Sequence, residues 1–519
     1  MSVFERAIPS DMSVSEESIV NILCFLQKSP VTLHSLLIMK NDKLIYEKYY
    51  APYDENNLHR MFSISKSFTA MGISLLADKG LVELDKSICD YFPEYVDENT
   101  HPFIKMTTIR NMLQMRSPHA STTYKVCMKT DWVESFFKVA PTHKPGTVFH
   151  YDTSAAHVLC ALVEKLSGKD LLTFLKDEAL HYVDFSRESY MVKDPFGVSM
   201  GGSGLMATPM DIMKFLFILY KKGRVTCNDG KVRTLFNPEF IEEATRNITD
   251  TYMTAPVASE AQGYGMQIWM NQKGGFTLYG MGGQLGICVP SEKLLVVTTA
   301  DTQGLQGGNQ IIYDAIYENL IDNKNDGNDK DGKRADGFCK KSDGSLLEKG
   351  LAIAPPRLPE SYRLFFPEFD PEMIPECVGG IAGKPAESGA LSLLYDLAPN
   401  GSNFEKLSLF LSPKGSGQCY IEFKQGSNSY RIAFGLGNMV RGIFPIYETR
   451  YVAGGIFTRD NVLYVKVHLI GESVGSVHFQ LYFGDDDVVV FMKKIEETFF
   501  KEFEGHLYGS FFNLYQVHL

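Results

Sequence analysis

Residues 61–70 pair a serine with a lysine at a spacing that suits nucleophilic catalysis. Ser63 and Lys66 form a Ser-x-x-Lys, and apolar residues follow at helical spacing until Gly80, where we expect the helix to end. If the helix begins at Ser63, both side chains lie on one face, one turn apart. The serine then lies at the positive end of the helix dipole, and a lysine amine can reach its hydroxyl. This is the geometry that a Ser–Lys nucleophile needs.

The spacing alone is weak evidence, because about two such matches arise by chance in a chain of this length. The second match joins Ser135 to Lys138. A solvated helix face explains either match equally well, so the surrounding sequence must separate them. A rival motif, Gly-Glu-Ser-Val-Gly at 471–475, matches the Gly-x-Ser-x-Gly nucleophile elbow, which needs a strand before it and a helix after it. Here residues 476–483 alternate like a strand, which favours a hairpin turn.

Composition and charge exclude several classes of function. The 519 residues carry a net charge of −11 with no strongly basic stretch, which argues against nucleic-acid binding. No apolar run approaches 18 residues, and the first residues do not resemble a signal peptide, so we expect no membrane span. Nine scattered cysteines without a Cys-x-x-Cys fit reduced thiols, which predicts a cytoplasmic protein. The histidines show no metal-binding spacing, so we expect no metal site. We also expect no cofactor.

The order of the predicted elements indicates an α+β fold. A helix within 1–30, a β-hairpin at 34–50 and the Ser63 helix precede a mostly helical stretch at about 81–235. Strands follow at 264–270, 276–279, 285–289 and 294–299, and then a helix at about 307–321. This order predicts an antiparallel β-sheet flanked by helices, plus an all-helical lobe. A cleft between sheet and lobe is the natural place for a site.

A polar tract at 323–352 divides the chain. It has too few apolar residues to pack, which predicts a linker or loop after a first domain at 1–322. Residues 353–519 are rich in alternating strands, of which 477–483 is the clearest, and turn signals recur about every ten residues. We therefore expect a C-terminal all-β barrel or sandwich without a catalytic constellation, through which copies of the chain could associate.

Two further stretches complete a candidate constellation. Tyr151 lies in Gly-Thr-Val-Phe-His-Tyr-Asp-Thr at 146–153, at the junction between a loop and a predicted helix. The stretch Tyr-Gly-Met-Gly-Gly-Gln-Leu-Gly at 279–286 enters a predicted strand, and its glycines would let the backbone approach a ligand closely.

Taken in order, these motifs resemble the serine hydrolase superfamily of class C β-lactamases, penicillin-binding D,D-peptidases and related esterases. The closest resemblance is to the 6-aminohexanoate-dimer (nylon-oligomer) hydrolase branch, and it covers about residues 30–320. The stretches that carry it include Phe-Ser-Ile-Ser-Lys-Ser at 62–67, Lys-Pro-Gly-Thr-Val-Phe-His-Tyr at 144–151, Gly-Gly-Ser-Gly-Leu at 201–205 and the glycine-rich stretch at 280–286. The resemblance implies a β-lactamase/transpeptidase-like fold for the first domain.

The resemblance also implies roles for the residues of the site. Ser63 would be the nucleophile, Lys66 the base that activates it, and Tyr151 the shuttle that carries protons to the leaving group and from water. Backbone N–H groups of Ser63 and of a residue near Gln284 would form the oxyanion hole. The residues expected to line the site are Gly282, Gly283, Gln284, Thr153 and Met281.

Two positions depart from the pattern of the superfamily. Thr153 stands where the second motif usually has asparagine, and Met281 stands where the third motif often has lysine or histidine. Without a cation at 281, a substrate carboxylate has no partner there, which favours a neutral amide or ester. We therefore expect a serine hydrolase of small amides or esters. The alternatives are a D,D-peptidase or β-lactamase, and a catalytically silent penicillin-binding-like scaffold.

Overall fold

The computed structural model describes residues 4–126, 131–255, 257–322, 391–412, 418–496 and 500–511. The chain divides into two compact units, Met1–Gly350 and Leu351–Leu519. The predicted linker at 323–352 and the start of the predicted β domain lie outside the described residues, so the predicted domain boundaries stay a prediction.

The described part of the first unit contains ten α-helices and eleven strands. The helices are α1 (Glu16–Lys28), α2 (Ser65–Asp78), α3 (Pro102–Lys105), α4 (Ile109–Leu113), α5 (Trp132–Lys138), α6 (Thr153–Ser167), α7 (Leu171–Glu178), α8 (Pro209–Tyr220), α9 (Pro238–Ala244) and α10 (Gln310–Leu320). The strands are β1 (Thr32–Lys40), β2 (Lys43–Tyr49), β3 (His59–Arg60), β4 (Tyr190–Met191), β5 (Leu205–Ala207), β6 (Arg224–Thr226), β7 (Val232–Thr234), β8 (Trp269–Met270), β9 (Phe276–Gly280), β10 (Gln284–Val289) and β11 (Leu294–Asp301).

Six of these strands form one antiparallel sheet in the order β2-β1-β11-β10-β9-β8. The β1–β2 hairpin turns at Asn41 and Asp42, whose φ angles of 50° and 65° suit the tight turns that join twisted strands. The predicted hairpin and the predicted sheet are confirmed. The sheet shares a core with the helices through side chains such as Leu37 and Val297.

One predicted strand is much shorter than expected. The alternation at 264–270 predicts seven residues, but only Trp269 and Met270 pair as β8. Gln267 has a φ of 60°, which breaks the extended backbone. Gly265 lies so close to the end of α9 that a Cβ there would be 1.9 Å from the carbonyl oxygen of Ala244. The segment therefore folds around α9 before it reaches the sheet.

The helices hold α2 at the centre of the unit. Its residues from Ser65 to Leu76 are all buried, as expected for a helix covered on every side. It packs against α6 and α7, while α8 lies on β1, β10 and β11, and α1 packs against α10. In the described part of 81–235, helices make up most of the regular structure, as predicted, but loops occupy about as much of the chain, and the short strands β4 to β7 interrupt it.

The described part of the second unit is all β. Its strands are β12 (Leu391–Leu397), β13 (Lys406–Leu411), β14 (Cys419–Gln425), β15 (Asn428–Leu436), β16 (Val440–Phe444), β17 (Thr449–Arg459), β18 (Val462–Ile470), β19 (Gly475–Phe483), β20 (Asp487–Ile495) and β21 (Gly505–Phe511). Antiparallel pairing runs β15-β14-β13-β12-β21-β20-β19-β18-β17-β16. A parallel pairing of β15 with β17 closes nine of these described strands into a barrel, with β16 attached outside the ring.

The barrel interior is filled by alternate side chains of the strands, many of them aromatic, including Phe423, Phe434 and Phe479. Closure depends on Gly455, where a Cβ would be 2.8 Å from the ring of Phe434. The prediction of an all-β barrel or sandwich is confirmed as a barrel. Residues 471–474 join β18 to β19, so the Gly-x-Ser-x-Gly match lies on a hairpin, as expected from the strand that follows it.

Among the described residues, no helix combines the length and the apolar character that crossing a bilayer requires.

Candidate active site

Ser63 lies in a tight turn just before α2. The sequence places the helix start at Ser63, but α2 begins at Ser65. The amides of Ser65 and Lys66 donate to the carbonyls of Phe62 and Ser63 over 3.0 and 3.1 Å, so the chain enters α2 through a 3-10 turn. Phe62 has a φ of 45°, a strained conformation for a bulky residue, and it is held by pairing with Gly204. The later helix start leaves Ser63 still one turn from Lys66.

The structure brings Lys66 directly onto the serine. Its Nζ lies 2.8 Å from the Oγ of Ser63 and donates to the carbonyl oxygen of Gly202 over 2.7 Å. Lys66 is 0% exposed, and this burial lowers the pKa of its amine to about 7. The carboxylate of Asp152 opposes the shift, and the cation of Lys125 adds to it. A large fraction of Lys66 is therefore neutral at neutral pH and can accept a proton.

Gly202 and Thr153 together form the support for the lysine. Thr153 is the first residue of α6, and a Cβ on Gly202 would be 2.4 Å from the Cγ2 of Thr153. The neighbouring carbonyl of Gly201 accepts a hydrogen bond from the Oγ1 of Thr69 over 2.9 Å. Thr153 therefore packs against the backbone that holds the Lys66 amine. The asparagine expected from the resemblance would add an amide group there, which threonine lacks.

Tyr151, which lies two residues before α6, covers the same amine. The Nζ of Lys66 lies 4.7 Å from the centroid of the Tyr151 ring. The ring packs against Trp269, with centroids 5.4 Å apart, and against Tyr264. Burial raises the pKa of the Tyr151 phenol, and hydrogen bonding to Ser63 partly offsets that rise. Tyr151 is therefore protonated at neutral pH and can donate a proton.

Asp152 is a buried carboxylate that the sequence analysis did not single out. It caps α6 by accepting from the amide of Ser154 over 2.9 Å, and it also accepts from the hydroxyl of Ser117 over 2.8 Å. Burial nevertheless raises the pKa of this carboxyl group. The Asp-Thr-Ser sequence before an apolar helix is a helix-start signal that could have identified it as a cap. Its effect on Lys66 depends on packing that the sequence does not reveal.

The third predicted motif forms the turn between β9 and β10. Met281 is half-buried, and Gly282 and Gly283 have φ angles of 79° and 90°. The side chain of Gln284 is buried and donates to the carbonyl oxygens of Ala300 and Met281 over 2.8 and 3.1 Å, so it stabilises the turn. The role of the Gln284 amide in an oxyanion hole stays a prediction.

The end of β9 approaches the segment that carries the serine. A Cβ on Gly280 would lie 2.4 Å from the carbonyl oxygen of Met61, so only glycine lets the two backbones come this close. Of the glycine-rich stretch, Gly280 is therefore the residue whose contact places the strand beside residues 61–63.

The second Ser-x-x-Lys match does not form such a pair. Ser135 is buried in α5, where its hydroxyl contacts the Oγ1 of Thr123 at 2.8 Å and donates to the carbonyl of Trp132. Lys138 instead forms an exposed ion pair with Asp97 over 3.0 Å. Ser135 is therefore a buried packing residue, and Lys138 lies on the solvated face of α5, so the match has an ordinary structural explanation.

Comparison with known proteins identifies the family of the chain. A model of the beta-lactamase family matches residues 34–318. Beta-lactamase-like protein 2 of Dictyostelium discoideum is 24% identical over 246 residues, which are 40% of this chain and 44% of that protein. Protein flp of Staphylococcus aureus is 24% identical over 199 residues, which are 34% of this chain and 40% of that protein. The chain therefore spans less than half the length of these curated relatives.

Among solved structures, one similar protein is a Bacillus anthracis protein that bears the name of a 6-aminohexanoate-dimer hydrolase. The likeness has a TM-score of 0.46 and 21% sequence identity, and it covers 56% of this chain and 78% of that protein. The family model covers more than half of the 519 residues, and its range includes Ser63, Lys66, Tyr151 and the turn after β9. The chain belongs to the beta-lactamase family.

Proposed function

We propose that this chain is a serine hydrolase that cleaves small amides or esters through an acyl-enzyme on Ser63. The observation that carries the proposal is the 2.8 Å approach of the Lys66 amine to the Ser63 hydroxyl, in a setting that lowers the pKa of the lysine to about 7. A serine hydroxyl is a weak nucleophile until a neighbouring base takes its proton. A neutral Lys66 is such a base.

In the first half of the reaction, Lys66 takes the proton of Ser63 as the Oγ attacks the substrate carbonyl. The resulting oxyanion needs hydrogen-bond donors, and the predicted ones are the amides of Ser63 and Gln284. Tyr151 then gives its proton to the leaving nitrogen or oxygen and regains one from the Lys66 ammonium beneath its ring. The carbonyl–heteroatom bond breaks, and the acyl group stays on Ser63 as an ester.

In the second half, water attacks the ester carbonyl while the Lys66–Tyr151 pair accepts one of its protons. Collapse of the second tetrahedral intermediate breaks the bond to Ser63, and the same pair returns a proton to the Oγ. The product is a carboxylic acid, and the site returns to its starting protonation state. Each step uses a proton donor or acceptor that already lies beside Ser63.

The third motif favours a substrate without a free carboxylate. Met281 offers no charge, and two arginines of the helical lobe have other partners. Arg110 forms ion pairs with Asp85 and Glu243, and Arg116 donates to the carbonyl of Ile248. These observations support amide and ester cleavage over a D,D-peptidase or β-lactamase activity. The assignment to the nylon-oligomer hydrolase branch rests on the sequence motifs and remains part of this proposal.

Covalent labelling tests the nucleophile. The full chain is treated with a fluorophosphonate probe, and the labelled peptide is identified by mass spectrometry. We expect the adduct on Ser63, its loss in Ser63→Ala, and its retention in the matched control Ser135→Ala. Labelling of Ser135 or Ser473 instead would refute the assignment of the nucleophile, and a folded wild type that takes no label would indicate the silent scaffold.

A substrate screen then tests the reaction. It compares p-nitrophenyl esters, D-amino-acid amides, linear and cyclic aminohexanoate oligomers and a chromogenic cephalosporin, each with the wild type and with Ser63→Ala. We expect Ser63-dependent turnover of a neutral ester or amide. A cephalosporin turned over faster than every ester and amide would move the β-lactamase alternative to first place.

A further inference from the structure

Glu260 is a buried carboxyl group that the proposed reaction does not use. It ends the 3-10 turn Ala258–Glu260, which lies between α9 and β8, and it is 0% exposed. Within the described ranges, neither of its carboxylate oxygens has a hydrogen-bond partner. A buried carboxylate without a partner is costly, and such a group normally stays protonated or serves a function.

The elements around this turn hold Glu260 in place without neutralising it. The hydroxyl of Thr251 donates to its backbone carbonyl over 2.8 Å, and the amide of Ser259 donates to the side chain of Gln310 over 2.9 Å. The turn packs against α10 and β8. From β8 comes the uncharged Trp269, which also packs against Tyr151.

The ionisable groups near Glu260 are mainly phenols. Tyr313 of α10 is fully buried, and an ionised Glu260 raises the pKa of both Tyr313 and Tyr151. The other ionisable groups of α10 are Tyr317, which lies beside Ser259, and the acidic residues Asp314 and Glu318. In the described part of the chain, no ion pair involves Glu260. The turn packs on β8, and Trp269 of β8 packs on Tyr151, so the carboxyl group is electrostatically coupled to the tyrosine that the proposed mechanism uses.

We propose that Glu260 is a positioning residue for proton transfer by Tyr151, and that the enzyme protonates its leaving group efficiently only while Glu260 is itself protonated. This inference rests on the proposed function. When Tyr151 donates its proton, negative charge develops on the phenolic oxygen. An ionised carboxylate in the same poorly solvated interior opposes that charge, whereas a neutral carboxyl group does not. The reverse transfer, in which Tyr151 accepts a proton, is not slowed in this way.

The inference predicts an alkaline limit to the reaction. Burial raises the pKa of Glu260 to about 8, and the acid form is the one that supports turnover. Turnover of substrates with poor leaving groups therefore falls as pH rises above about 8. Lys66 acts in the opposite sense, because its base form is needed and its pKa is about 7. The expected profile for such substrates is a bell with its maximum between these two values.

The test is the pH dependence of kcat for an unactivated amide or alkyl ester, measured on the full chain. We expect the wild type to lose about tenfold per pH unit above its alkaline pKa, and Glu260→Gln, which cannot ionise, to be at least about tenfold faster than wild type at pH 9.5. Glu260→Asp should keep the alkaline fall, as should the exposed control Glu239→Gln on α9. Circular dichroism at each pH establishes whether the protein stays folded.

A second measurement uses the wild type alone and does not depend on how a variant folds. A p-nitrophenolate leaving group departs without a proton, so the acylation burst with a p-nitrophenyl ester should show no alkaline fall. The proposal is overturned if kcat of Glu260→Gln falls at alkaline pH as the wild type does, or if the acylation burst shows the same fall. It is also overturned if the loss of kcat coincides with unfolding. Fluorophosphonate labelling of Ser63 at pH 7 separates failure of the proposed function from failure of this inference. An unlabelled wild type contradicts the proposed function. A labelled wild type, with the alkaline fall of kcat unchanged in Glu260→Gln, contradicts only this inference.

Discussion

The ring of Tyr151 lies over the amine of Lys66, with 4.7 Å between the lysine Nζ and the ring centroid. A cation over an aromatic face is stabilised, whereas burial favours the neutral amine. Burial has the larger effect, since the pKa of Lys66 is lowered to about 7. The same amine contacts Ser63 and the carbonyl of Gly202, so one buried group links the nucleophile, the phenol and the backbone that supports them.

This arrangement predicts how activity depends on pH below neutrality. The base form of Lys66 is the active one, so on the acid side kcat/KM should rise about tenfold per pH unit up to about pH 7. The exposed Lys125 contributes to the low pKa by charge repulsion. Lys125→Ala should therefore move the rise to slightly higher pH, by a few tenths of a unit at low salt and less at high salt. Lys138→Ala is the control, and an unchanged midpoint in Lys125→Ala would contradict the role of Lys125.

The proton-transfer roles predict two strong losses. Lys66→Ala and Tyr151→Phe should each reduce kcat by on the order of 10² or more, because each removes a group that moves a proton. Tyr151→Phe keeps the ring over Lys66 and its packing against Trp269, so it isolates the hydroxyl. Circular dichroism checks that both variants fold, and Lys138→Ala serves as the matched lysine control. Near-normal turnover in a folded variant would reject the role of that residue.

The contact of Gly202 with Thr153 supports the Lys66 amine, and a larger residue at 202 tests that support. A methyl group on Gly202 would lie 2.4 Å from the Cγ2 of Thr153 and 3.1 Å from its carbonyl oxygen, so Gly202→Ala must move the carbonyl that holds the amine. We expect kcat/KM to fall by about tenfold or more. Adding Thr153→Ser removes the closer contact and should restore part of the loss.

The control for this substitution is Gly401→Ala, where a Cβ would meet nothing within 4 Å. Equal losses in Gly202→Ala and in the double variant would show that the Cγ2 contact is not the cause.

Local sequence patterns predicted much of the fold. The predictions failed where tertiary contacts determine the backbone. The β1–β2 hairpin was predictable because Asn41 and Asp42 tolerate the positive φ angles that its turn requires. The strand predicted at 264–270 was too long because Gly265 packs against α9, a contact that alternation does not encode, and only Trp269 and Met270 form β8. The barrel could not be separated from a sandwich, since that choice depends on the pairing of β15 with β17, far from any turn signal.

The candidate site was predictable where its residues are close in sequence. Ser63 and Lys66 are three residues apart, so local geometry alone brings them together. The contact of Tyr151 with Lys66 needed the resemblance to a family, because the two are distant in sequence. Glu260 lies in no motif, and the role proposed for it depends on burial beneath α10 and β8, which no local pattern predicts.

Burial of Glu260 also predicts a pH-dependent stability. The pKa of this carboxyl is about 8 in the folded chain against an ordinary 4.5, so the folded state binds the proton more tightly than the unfolded state. The contribution of this carboxyl group to the free energy of unfolding is therefore fully present below pH 4.5. It is lost as pH rises towards 8, at roughly 1.4 kcal/mol per pH unit. Glu260→Gln should raise Tm by at least about 3 °C at pH 8 and by much less at pH 5. Thermal melts followed by circular dichroism measure this, and an equal shift at both pH values would show that ionisation is not the cause.

Substrate charge provides the last prediction. Moving a carboxylate from water to a site without a partner charge costs several kcal/mol, and Met281 supplies no charge. Neutral esters or amides should therefore exceed matched substrates with a carboxylate next to the scissile bond, β-lactams included, by at least about 10² in kcat/KM, or about 2.7 kcal/mol. Steady-state kinetics on matched pairs measures the ratio.

The residue that could reverse this result is Lys125, because its charge acts on Lys66 from the exposed end of the Thr123–Lys125 turn. If the carboxylated substrate is preferred and Lys125→Ala removes that preference, Lys125 supplies the missing cation, and the peptidase alternative takes first place. If the preference survives in Lys125→Ala, the cation lies elsewhere. Arg60 is the next to substitute, because it lies three residues before Ser63 and donates to the carbonyl of Ser203.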